Sequence, residues 1–158
     1  MSSNSVIFSK NTIFEECIEA LGPDVFVLSK KESSEMWKIF KNKVPFTKGS
    51  RIDFNKVNNS ISIDYLDEVI PTLSKILNAQ IDTSVFILWN DASVPVIKTT
   101  IELAFEHFND VISVSFETWF FNPDQNYVIE YYYFGEMNLG FPIMHKNDYS
   151  VLSDFKRH

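Results

Sequence analysis

Two glutamates set inside aromatic strands are the residues of this chain best placed for acid–base chemistry. Glu117 lies in Ser115-Phe116-Glu117-Thr118-Trp119 and Glu130 in Val128-Ile129-Glu130-Tyr131-Tyr132. If the two strands form a hairpin in which Phe121 pairs with Asn126, Glu117 faces Glu130; if Phe121 pairs with Tyr127, Glu117 faces Tyr131. The difference matters because a one-residue slip sends a strand's side chains to the other face. Facing carboxylates repel, which raises the pKa of one and leaves a proton donor beside an acceptor. A small hydrolase or transferase could use such a pair. The plainer reading is a solvated sheet face with charges between its rings, and we adopt it: the chain is expected not to be an enzyme.

Other chemistry is thin. Cys17 falls on the apolar stripe Phe14, Cys17, Ile18 and Leu21, where a small buried thiol is the ordinary outcome. A reactive thiolate needs exposure and a nearby positive group. His107 sits beside Phe108 near a helix end, His145 in a loop-like segment and His158 at the C-terminus; each reads as structural or solvated. The sequence holds no nucleophile elbow, phosphate loop, His-Glu-x-x-His or paired-cysteine spacing. Neither a metal nor another cofactor is expected.

The aromatic residues suggest a surface instead. Trp119, Phe120, Phe121, Tyr127, Tyr131, Tyr132, Tyr133 and Phe134 crowd one hairpin, and strand alternation sends successive rings to opposite faces. Either helices cover both faces or one is left for a partner. Tyr and Trp make good interface anchors because they bury much area and keep a polar end. Between Asp82 and Glu136 the only Lys or Arg is Lys98, so a negative field concentrates in this half. The expectation is an acidic, ring-bearing surface on the last three strands, left bare for a cationic protein. Its expected contacts are Glu117, Trp119, Asp124, Glu130, Tyr131, Tyr133 and Glu136.

The elements that must position these residues follow from apolar periodicity and turn residues. A helix is predicted over 11–21, with Thr12 and Glu15 at capping-box spacing and Gly22-Pro23 as its stop. Val25–Leu28 reads as a short buried strand and Ser33–Lys41 as a second helix with Met36, Trp37 and Phe40 on one side. Residues 42–50 read as a loop. Ile52, Phe54, Ile61 and Ile63 around Asn58-Asn59 read as a hairpin, since Asn tolerates the left-handed turn conformation. Residues 64–78 read as a helix that Pro71 kinks or splits. Val85–Trp89 is a buried strand, and Pro95 opens a helix with Ile97, Ile101, Ala104, Phe105 and Phe108 as its stripe. Val111–Phe121, Tyr127–Phe134 and Met137–Phe141 then form an antiparallel meander. The fold class is α+β, a single domain over 1–158 with a largely antiparallel sheet and that C-terminal three-stranded meander packed against several helices.

Composition agrees with a folded, acidic binding protein. The 158 residues carry 14 Lys+Arg against 21 Asp+Glu, a formal charge of −7, with 45% hydrophobic content. That is too apolar for a disordered tail, and a domain of this size buries roughly 68–70% of its unfolded surface without needing a metal or disulfide. One cysteine suits a reducing compartment. No apolar run approaches the roughly 20 residues that span a bilayer, and the opening MSSNSVIFSK lacks signal-peptide character, so a cytoplasmic protein that contacts no membrane is expected. A net acidic domain argues against direct nucleic-acid binding. If charge steers an encounter, the partner is basic.

The segment from Trp89 to Phe141 resembles the immunity proteins of bacterial contact-dependent growth inhibition and related polymorphic toxin systems. The likeness is carried by Trp89-Asn90-Asp91-Ala92-Ser93 with Pro95-Val96-Ile97-Lys98, by Val114-Ser115-Phe116-Glu117-Thr118-Trp119, and by Val128-Ile129-Glu130-Tyr131-Tyr132 leading to Gly135-Glu136. The resemblance implies a small cytosolic protein that binds and neutralises the C-terminal domain of one cognate toxin, frequently a nuclease, by blocking its active site or its access to substrate.

Overall fold

The computed structural model describes residues 2–78 and 80–142, with side chains described from Thr12 onward; His145 and His158 lie outside the described residues. The chain runs α1 (Ser2–Leu21), β1 (Phe26–Val27), α2 (Lys30–Lys43), β2 (Val57–Ser62), α3 (Val69–Leu77), β3 (Ser84–Trp89), β4 (Ile97–Thr100), α4 (Ile101–Glu106), α5 (Phe108–Ile112), β5 (Glu117–Asn122), β6 (Tyr127–Tyr132) and β7 (Glu136–Pro142). The strands form one sheet in the order β1-β4-β3-β5-β6-β7-β2, with every neighbouring pair antiparallel. The α+β class and the β5-β6-β7 meander are as the sequence predicts.

Alternation along the strands feeds two cores, one on each face of the sheet. On one face Ile87, Phe120, Ile129 and Leu139 meet Cys17 and Leu21 of α1, Leu73 of α3 and Ile101 of α4. On the other, Leu88, Trp119, Phe121 and Val128 meet Met36 and Phe40 of α2, together with Val44 and Ile52 of the segment that follows it. Each such buried side chain contributes roughly 1.5–3 kcal/mol relative to exposure. The bare face expected on the last three strands is therefore absent: Trp119, Phe120, Phe121 and Tyr127 are all buried.

Local chemistry explains where the elements depart from expectation. Neither Gly nor Pro interrupts residues 2–21, so α1 starts nine residues early and Thr12 falls inside it rather than at its cap. The capping box belongs to α2, where Ser29 and Glu32 satisfy each other's backbone N–H groups. β1 lies at the sheet edge and is exposed, not buried. Asn59 does adopt a left-handed conformation (φ 53°), but it bulges β2 against β7 instead of turning a hairpin. A 3-10 turn at Leu66–Glu68 precedes α3, and Pro71 sits in the first turn of α3, where its missing N–H costs little. Residues 97–100 are strand rather than helix because Ile97, Thr99 and Thr100 are β-branched. Thr100 then caps α4 through the Leu103 N–H. Val111 closes a short helix, its carbonyl accepting the Trp89 indole at 2.8 Å, and the strand expected there begins only at Glu117.

Two buried acids couple this core to pH. Burial, with Asp110 adding to it, pushes the Cys17 thiol up to about 12. Burial also raises the Tyr127 phenol, which donates to the Asp82 carbonyl at 2.8 Å. The folded chain holds both protons after the unfolded chain releases them, so this stabilisation is complete below about pH 8.5 and falls as pH rises towards the folded values. Each group contributes a slope approaching ~1.4 kcal/mol per pH unit within its window. In urea unfolding, Cys17→Ala is expected to start less stable than wild type but to lose less between about pH 8.5 and about pH 10. An unchanged slope in the variant would refute the buried-thiol account.

Candidate functional site

With both faces covered, exposed rings lie at edges, loops and strand ends; among the described residues Phe26 and Tyr65 stand apart, and one corner of the sheet gathers the rest. Tyr132 pairs with Glu136 across β6 and β7, leaving Tyr133, Phe134 and Gly135 as a three-residue loop. Gly135 closes it at φ 98°, with its N–H donating to the Tyr132 carbonyl at 2.8 Å. A residue with a Cβ would be strained there. The loop lifts Tyr133 and Phe134 clear of the sheet, 47% and 68% exposed, and Phe116, just before β5, is 67% exposed beside them. Ring centroids lie 4.0 Å apart for Tyr133–Phe134, 4.9 Å for Phe116–Tyr133 and 5.1 Å for Tyr132–Phe134. The four rings make a continuous aromatic ridge.

Carboxylates flank the ridge. Glu117, next to Phe116, accepts from the Asn90 amide at 3.1 Å. Glu136 pairs with Arg51 at 3.4 Å while remaining largely exposed. The Arg51 guanidinium lies 4.0 Å from the centre of the Tyr132 ring and so braces the back of the ridge. Desolvation opposes the Arg51 charge, but hydrogen bonding and charge from Glu130, and then from Glu136, outweigh it and raise its pKa.

Glu130 lies beneath, with no solvent exposure. It accepts from Arg51 Nη2 at 2.9 Å and Nε at 3.2 Å, from the Ile52 N–H at 2.8 Å and from the Trp119 indole at 2.9 Å. These bonds pin the segment after α2 onto the sheet. The segment folds back on itself through a Phe46–Ile52 bridge and a Thr47 N–H to Arg51 carbonyl bond at 2.7 Å.

The seven expected contacts thus separate. Glu117, Tyr133 and Glu136 come together at the ridge. Trp119 and Glu130 lie within the core, 1% and 0% exposed, and offer a rigid partner no surface. Tyr131 is half-buried on the helix-covered face, edge-on to Phe108. Asp124 is exposed in the β5–β6 loop, at the opposite end of the strands from the ridge. Phe116, Phe134 and Arg51 belong to the site without having been singled out. A phenylalanine within a glycine-closed turn, as at Phe134-Gly135, is a legible sign of an exposed ring; Arg51 left none.

Neither proposed register holds. Phe121 pairs with Val128, Trp119 with Glu130 and Glu117 with Tyr132, because the loop 123–126 closes on an Asn122–Tyr127 pair. The Asn122 side chain accepts the Gln125 N–H inside it and Asn126 takes φ 60°. Glu117 and Glu130 share a face but sit diagonally, and Glu130 is saturated with donors, which leaves it no means of passing a proton to a substrate. A groove of about 1120 Å³ opens beside the ridge, and neither glutamate lines it. Among the described residues, no group of three or more His, Cys, Asp or Glu could hold a metal ion, and no helix is long and apolar enough to cross a membrane.

A family model described as "CdiI immunity protein EcoliA0-like" matches residues 11–140. No curated protein matches the chain significantly.

Removing one partner of a buried ion pair strands the others, at a cost of ~3–5 kcal/mol. Glu130→Ala is expected to lose that much stability in urea unfolding followed by tryptophan fluorescence, and Glu130→Gln, which keeps an acceptor for the Trp119 indole, to lose less. Wild-type stability in Glu130→Ala would show that the network does not hold the segment down.

Proposed function

The chain belongs to the family of CdiI immunity proteins, EcoliA0-like, and from that premise we propose that it neutralises its cognate toxin in the cytoplasm by seating the aromatic ridge on a basic toxin domain. The observation that carries this is the ridge itself: three large rings more than two-fifths exposed, packed against one another at tilted angles. Monomeric proteins seldom leave contiguous apolar patches bare without a partner to cover them. Held rings bury much area with little ordering cost, which makes Tyr133, Phe134 and Phe116 the anchors.

Glu117 and Glu136 form the polar rim and meet Lys or Arg of the toxin. Trp119, Glu130 and Tyr131 act from beneath by fixing the strands, and Asp124 adds only to the long-range field. The chain's charge of −7 favours approach of a cationic domain. A nuclease suits that description because it must itself attract phosphates, and covering its cationic surface blocks the substrate without any chemistry by the inhibitor.

Two outcomes test this with the C-terminal domain of the cognate toxin. Phe134→Ala and Tyr133→Ala, both at exposed positions, are each expected to weaken binding by about 30-fold in calorimetry while leaving the unfolding midpoint within error of wild type. Binding at wild-type affinity by both would remove the ridge from the interface. In stopped-flow measurements, raising ionic strength from about 50 mM to about 500 mM is expected to slow association far more than it speeds dissociation. A salt-independent association rate would eliminate steering.

A further inference from the structure

The groove beside the ridge lies between α2, residues 44–50 and the turn at 90–95. Its aromatic walls are Trp37, Phe46 and the inner face of Trp119, with ring centroids 5.9 Å apart for Trp37–Trp119 and 5.7 Å for Phe46–Trp119. At about 1120 Å³ it exceeds the roughly 300–1,000 Å³ usual for small-molecule pockets, and it opens along one side. A length of polypeptide fits that shape better than a metabolite does.

Its charge is opposite to that of the ridge. Lys30 and Lys41 stand on the rim, and among the described residues neither forms an ion pair; Lys41 lies 5.5 Å from the centre of the Trp37 ring. The acid on the opposite rim, Asp91, accepts from the Ser93 N–H and hydroxyl through Oδ1. The groove also shares an edge with the ridge. Asn90 lines the groove and holds Glu117, and Ser50, on the other side, leads into Arg51 and hence to Tyr132.

We propose that this groove receives a projecting loop of the same toxin domain, carrying an apolar or aromatic side chain next to a carboxylate. The inference rests on the family assignment and on the ridge as the toxin-facing surface. The side chain packs on the half-buried rings of Trp37 and Phe46, which the buried Trp119 backs edge-on, and the carboxylate pairs with Lys30 and Lys41. An acidic, apolar projection on an otherwise basic domain is an unusual combination, so the groove serves to select. A toxin whose loop carries Lys or Arg meets two uncompensated ammonium groups and is repelled. The ridge supplies adhesion and the groove decides between partners.

The test uses the full chain and the cognate toxin domain, with three variants at exposed positions: Ser34→Trp, which fills the groove; Lys30→Glu combined with Lys41→Glu, which inverts its charge; and Phe134→Ala on the ridge. Unfolding midpoints confirm that each variant folds. Both groove variants are expected to weaken binding at least about tenfold, chiefly through faster dissociation. If Phe134→Ala weakens binding and the groove variants do not, the groove proposal is overturned while the ridge stands. If the groove variants weaken binding and Phe134→Ala does not, the groove is supported as a toxin contact and Phe134 is not an anchor of the ridge. If Ser34→Trp changes the chain's own oligomeric state at unchanged toxin affinity, the occupant is a second copy and the proposal is wrong.

Discussion

A carboxylate buried in the sheet must be compensated, and the chain is organised to compensate Glu130. Desolvating a charge costs several kcal/mol even after relaxation, and only close, well-aligned donors recover it. Four donors do so here, three of them from Arg51 and Ile52, 79 and 78 residues away along the chain. The long segment after α2 is thereby obliged to return to β6, and in returning it closes the second face of the sheet. The same Arg51 braces Tyr132, and the same segment carries Phe46 into the groove wall. One internal charge therefore fixes two surface features at once.

That arrangement explains why the exposed rings that touch one another lie at a corner, with Phe26 and Tyr65 standing apart. A seven-stranded sheet sealed on both faces has only edges, turns and strand ends to offer a partner. The edges are poor candidates: β1 is two residues long and β2 is polar and bulged, both recognised ways of discouraging strand addition. Turns carried on a rigid scaffold can vary without disturbing the core. An inhibitor that must match one toxin and reject others gains from keeping its specificity in such turns, where Tyr133, Phe134 and the 90–95 loop are found.

Much of this was legible in the residues, and the failures have particular causes. The meander was readable because its strands alternate and its turns hold Asn-Pro-Asp and Gly. Its register was not, because it depends on a single side-chain bond, Asn122 to the Gln125 N–H, that no periodicity encodes. Glu117, Tyr133 and Glu136 reach the surface because strands begin or end beside them, although the residues alone place Glu117 inside a strand. Trp119 and Glu130, in mid-strand, look the same in sequence whether a helix covers them or not; the cover is α2, some eighty residues earlier. Ile97 has the right spacing for a helix stripe, but β-branching at Ile97, Thr99 and Thr100 favoured the strand.

The two charges at the site divide the work of binding by distance. Far from the surface a partner senses the net charge of −7, in which Arg51 and the groove lysines are already counted. At contact the pattern is local: Arg51 is shared between the buried Glu130 and the exposed Glu136, so the three groups keep one negative charge, and Glu136 presents it to solvent. A cationic side chain of a partner that pairs with Glu136 lets the rings beside it be desolvated without stranding that anion. A few ångströms on, Lys30 and Lys41 turn the sign around. In the proposed binding mode, attraction that is uniform at long range and alternating at short range draws in any cationic domain but holds only one whose surface alternates in the complementary sense, and it is the short-range alternation that can set one toxin apart from another of equal charge.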